Sequence, residues 1–134
     1  MGQQQLLLII LGVIIVGIAI AVGLSLFRAN SIQANKDAII NDLNNIGANA
    51  YQFRIRPTSM GGGGDAYDVS KGATAAYSIP TKMSSNDNAT YAATPTAVQV
   101  TIKGTNAVAA NQWVQGIMDV NGKLGTWTYG SDFQ

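Results

Sequence analysis

Seven aspartates supply all the acidic chemistry open to this chain, because it has no glutamate, no histidine and no cysteine. That removes the commonest general acid–bases, the thiolate nucleophile and the usual zinc ligands. The aspartates are scattered from Asp37 to Asp132. Asp65 and Asp68 follow closely on a glycine run, Gly61 to Gly64, and two carboxylates there could hold a cation. No oxygen-rich loop pattern accompanies them, so a solvated turn is the simpler reading. The run lacks the Lys-Ser/Thr of a phosphate-binding loop and reads as a linker. No catalytic, cofactor or metal site is expected.

Two other groups of residues invite chemistry. Asn88-Ala89-Thr90 matches the N-glycosylation acceptor pattern, which makes Asn88 a candidate for modification, and the many Ser and Thr hydroxyls could carry O-glycans. Trp113, Trp127, Tyr129 and Phe133 could stack on a ligand or glycan, but aromatics on strands more often fill a small core or an interface. Net charge is +1, so nothing electrostatic points to nucleic acid. Charged residues make up 11% of the chain, against about a quarter in ordinary soluble proteins. A surface so weakly charged suits dense self-association.

These residues need elements to position them. Residues 61–96 are rich in Gly, Ala, Ser, Thr and Asn and read as a long loop or poorly regular surface segment. Ala97 to Ile102 alternates apolar and polar as a half-buried strand does. Trp113 to Val120 is a second strand, Asn121-Gly122 signals a hairpin turn, and Leu124 to Tyr129 returns. Ala89 to Ala93 around Tyr91 is a fourth candidate. Short connections make the sheet antiparallel.

Upstream, Ile32, Ile39, Leu43, Ile46, Ala50 and Phe53 recur in steps of three and four once Lys36 fills the gap. That is the pattern of an amphipathic helix whose apolar stripe covers a sheet. Arg54 and Arg56 suit its last turn, and Pro57 with the glycines ends it. Before Arg28, the run Leu6 to Phe27 is uncharged and has Ser25 as its one polar residue. As a helix it is ~33 Å long, close to the ~30 Å core of a bilayer.

Three readings fit that run: a cleaved signal peptide, a single-pass anchor, or a helix that leaves the membrane to pack with copies of itself. A signal peptide needs a basic start and a shorter apolar core, and Met1 to Gln5 carries no Lys or Arg. Continuation of the helical pattern to Ile55 favours one helix over an anchor with a separate successor. The expected fold is α+β: one long N-terminal helix, apolar over 1–27 and amphipathic over 28–55, packed on a small antiparallel sheet within 56–134. Residues 28–55 and 56–134 together form one globular head.

An apolar extreme N-terminus that continues as an amphipathic helix into a small antiparallel sheet resembles the type IV pilin family, bacterial or archaeal. The resemblance implies a structural subunit, held in the cytoplasmic membrane before assembly and then stacked helix on helix in an extracellular filament at the cell surface. Its partners would be many copies of itself, the membrane and a pilus assembly machinery. Assembly would run through Leu6, Leu7, Leu8, Ile9, Ile10, Leu11, Val13, Ile14, Ile15, Val16, Ile18, Ile20, Val22, Leu24, Leu26 and Phe27. Gly12, Gly17 and Gly23 would allow close packing or local melting of the helix in the filament. Gly2-Gln3 is the candidate processing point, with methylation open.

The chain departs from the family at two places. A leader of Met1-Gly2 would carry no basic residue, and no Glu occupies the fifth mature position to pair with a neighbour's amine. That position is Leu7 if cleavage follows Gly2, or Gln5 if Met1 is retained. The amides of Gln3, Gln4 and Gln5 are then the available acceptors for the amine. The positive-inside rule also sees Arg28 and Lys36 after the run against a lone amine before it, which runs mildly against a pilin's orientation. The competing function is a membrane-anchored minor pilin, pseudopilin or surface binding module that does not itself form the fibre.

Overall fold

The computed structural model describes residues 2–134. A single helix, α1 (Gly2–Ile55), is followed by strands β1 (Ala89–Pro95), β2 (Val100–Asn106), β3 (Trp113–Met118) and β4 (Leu124–Tyr129). The fold is α+β, as the sequence predicts. Contacts divide the chain into two compact units, the first ending at Gln33 and the second spanning Ala34–Gln134. The first is helix alone. The second, the head, holds the rest of α1 and the whole sheet.

Within the head, Ile39, Leu43, Ile46 and Ala50 are fully enclosed, and Phe53 is half-buried. Each of the larger three gains about 1.5–3 kcal/mol by leaving water. They cover one face of a four-strand antiparallel meander in the order β1-β2-β3-β4. Lys36, the gap in the stripe, is used: its Nζ donates to the Phe133 carbonyl at 3.0 Å and lies 4.1 Å from the Tyr129 ring centre. That ties the C-terminal turn to α1.

Strand boundaries differ from the sequence expectation at β2. Ala97 and Val98 lie in a turn closed by Thr96, whose N–H and hydroxyl both donate to the Gln99 carbonyl. The strand starts at Val100 and runs on to Asn106, with Val100, Ile102 and Gly104 facing inward. A glycine on the buried face hides the alternation. At Gly104 a Cβ would lie 2.7 Å from the Tyr91 ring and 2.8 Å from Ile39, so helix and sheet meet there with no side chain between them. Similarly β3 stops at Met118, because Asp119 opens the turn: its N–H reaches the Lys123 carbonyl, and Gly122 takes φ 78°.

The ladder slips between β3 and β4. One residue of β3, Gly116, faces two of β4, Thr126 and Trp127, and Thr126 takes φ 51°. Strict alternation would put Leu124 on the opposite face from Trp127 and Tyr129. The extra residue brings all three to the helix side. Leu124 reaches within 3.5 Å of a Cβ position on Gly47, Trp127 and Leu124 both cover Gly116, and Tyr129 lies under Lys36.

Residues 61–88 are irregular but not superficial. Ala66, Tyr67 and Tyr77 are buried, and Tyr67 Oη donates to the Asp119 carbonyl at 2.8 Å. Core aromatics without a period leave no pattern to read. The glycine run is not a linker either. The N–H groups of Gly63, Asp65 and Gly64 donate to the carbonyls of Phe53, Arg54 and Arg56 at 2.8, 2.8 and 3.0 Å. The run is therefore the cap that satisfies the free end of α1. A Cβ on Gly62 or Gly63 would collide with backbone, of Arg56 and Ala66 respectively.

Candidate assembly surface

All sixteen large apolar side chains proposed for assembly, from Leu6 to Phe27, are exposed, between 51% for Leu11 and 72% for Phe27. Exposure is much the same on every side of the helix, as expected where apolar residues fill all positions rather than a stripe. The segment is long and apolar enough to cross a membrane, and none of it is buried within the chain. Transferring this surface out of water is worth on the order of tens of kcal/mol. No folding of a lone copy recovers it.

α1 runs unbroken through Gly12, Gly17 and Gly23, and a Cβ at any of them would meet nothing within 4 Å. They are open notches on the helix surface. Gly2 and Gln3 lie in its first turn, while Met1 falls outside the described residues.

The polar candidates of the head are spent on the fold. Asp65 pairs with the Arg54 guanidinium at 2.7 Å, and Arg54 is buried, 5.3 Å from the Tyr67 ring and 3.3 Å from the Ala97 carbonyl. Asp68 accepts from the Ser70 N–H at the start of a short 3-10 turn. Among the described residues no three potential metal ligands converge. Phe133 is buried and the other three aromatics are half-buried, Trp113 beneath Lys103 at 4.4 Å.

One cluster has no counterpart in the sequence reading. Asp42 Oδ2 accepts from Tyr91 Oη, from Asn86 Nδ2 at 2.9 Å and from Asn88 Nδ2 at 3.4 Å. Partial burial pushes the Asp42 carboxyl up, but the hydrogen bonds from Tyr91, Asn86 and Asn88 together outweigh it, leaving the group below its ordinary 3.8. Burial, and then the bond to Asp42, push the Tyr91 hydroxyl up. Asn88, the candidate for modification, therefore holds the entry to β1 against α1. Only the i to i+3/i+4 spacing of Asp42 from Ile39 and Ile46 hinted that it borders the packed face.

No protein-family model, curated protein or solved structure matches the chain. What stands is architectural: a long N-terminal helix, apolar first, then packed on a small antiparallel sheet, compatible with a pilin-like fold.

Proposed function

We propose that this chain is a structural subunit that polymerises through Leu6–Phe27 into a helical, extracellular filament. One observation carries the reading: an apolar helix exposed on every face needs several partners around it, and copies of the same segment supply them symmetrically. The weakly charged composition and the open glycine notches support it. The subunit would wait in the membrane, where lipid covers the same surface, and exchange lipid for neighbouring helices on assembly. In that core, with no carboxylate in the apolar run, apolar packing and the amides of Gln3, Gln4 and Gln5 would hold the ends.

A membrane-anchored head that forms no fibre is the second reading, favoured by the segment's match to a bilayer span. Electron microscopy of surface material from cells producing the chain separates the two. Fibres whose repeating density fits this head support the first reading, and fibres built from another protein would sink it. N-terminal mass spectrometry on the same material reads whether cleavage falls between Gly2 and Gln3.

A further inference from the structure

Beside the end of α1 lies a cleft of about 300 Å³, lined by Asn49, Gln52, Phe53 and Arg56 of the helix and by Ser78 and Pro80 across from it. Its size is at the low end for a small-molecule site, enough for one ring. None of the lining side chains is acidic. Tyr77, also at the cleft, is kept protonated by burial, which pushes its hydroxyl up to about 12. It donates to Asn49 Oδ1 at 3.0 Å, so the Asn49 amide offers its N–H groups as the unspent end. The Ser78 hydroxyl and Gln52 amide add further hydrogen-bonding capacity.

Arg56 differs from its neighbour Arg54. Arg54 is ion-paired with Asp65, whereas Arg56 is exposed and has no carboxylate partner among the described residues. Its planar fork is free to take a carboxylate through two parallel bonds. The negative end of a helix would ordinarily repel an anion at this place. Here the carbonyls of Phe53, Arg54 and Arg56 are already occupied by amides of the glycine run. The half-buried Phe53 ring and Pro80 add an apolar patch beside these donors.

We propose that this cleft binds a hexuronate, with the carboxylate on Arg56, the hydroxyls on Asn49, Gln52 and Ser78, and a C–H face of the sugar against Phe53 and Pro80. The site lies wholly within the head and does not depend on polymerisation. The test is NMR titration of the isotope-labelled full chain in detergent micelles with glucuronate, using glucose as the uncharged control. Glucuronate should shift the amides of Gln52, Arg56 and Ser78 saturably, and glucose should bind at least ten-fold more weakly. Arg56→Gln should weaken glucuronate at least ten-fold while the Val100 and Ile102 signals stay in place, and Arg56→Lys, which keeps the charge but loses the fork, should fall between. Absence of a saturable shift, equal binding of glucose, or undiminished binding by Arg56→Gln would overturn the proposal.

Discussion

Within α1, Leu43 and Ile46 are enclosed by the head, whereas Leu8 and Ile14, of the same chemical kinds, keep 67% and 52% of their surface exposed. Residue type does not make the difference; pattern does. A one-sided stripe can be satisfied by a single sheet from the same chain, and the Ile39–Phe53 stripe has one. An all-round apolar surface cannot be covered from one side, so its complement must come from outside the fold. The two regions therefore predict different consequences for the same kind of damage.

The largest effect should come from charging the exposed region. Ile14→Arg puts an unpaired cation in the apolar segment of every copy, at about 2.5–3.5 kcal/mol each in a membrane setting. On the proposed function, the variant should give no filaments under the electron microscope while circular dichroism and tryptophan fluorescence of the head stay unchanged. Unchanged filaments would break the comparison. In the packed region, Leu43→Ala should do the reverse, costing the head about 2–5 kcal/mol in denaturant unfolding of the detergent-held chain. Gly63→Ala tests whether the glycine run is a cap, and collision with the Ala66 backbone should cost about 1–3 kcal/mol in the same assay. A linker glycine would show no such loss.

Acid should separate the regions more finely. Asp42 sits below its ordinary 3.8 in the fold, so its contribution is complete above the unfolded value and fades as pH falls below about 4 through the folded one. Because the carboxylate is only partly buried, that contribution is on the order of 0.2–1 kcal/mol. Asp42→Asn should flatten the acid limb of head stability measured between pH 6 and pH 2, and Leu6–Phe27, which carries no titratable group, should add nothing to it. An unaltered acid limb would remove Asp42 from the account. The smallest effect is at the bulge. Thr126→Gly relieves a positive φ and should cost less than about 0.5 kcal/mol, whereas Thr128→Gly, in regular strand, should cost about 1.

Much of this fold is legible from two periods, 3.6 and 2, and where they hold the boundaries are close: α1 to Ile55, and β4 at Leu124–Tyr129. Reading fails where a residue serves packing by having no side chain. Gly104 sits at an inward strand position, so β2 looks shorter and earlier than it is. Gly62 and Gly63 look like slack and are a cap. Tyr67 and Tyr77 enter the core from irregular backbone, whose partners no spacing rule specifies. For the candidate surface, the sixteen apolar residues and their exposure follow from a pattern that leaves no polar face between Leu6 and Phe27. The Asp42 cluster does not, because Asn86, Asn88 and Tyr91 reach it across more than forty residues of chain.

The two outer strands carry a further consequence. β1 and β4 form the edges of the meander. The start of β1 is already covered, with the Tyr91 N–H donating to the Ser84 carbonyl and the Asn86 N–H to the Ala89 carbonyl. The rest of each edge offers unpaired backbone to any strand that comes near. In a polymer, neighbouring heads would meet at very high local concentration, where sideways zippering of sheets would compete with helix stacking. β1 ends in Pro95, which has no N–H to give, and β4 is kinked at Thr126. Both edges make poor templates. Growth through the helix alone, rather than tangling through the heads, is what they leave open.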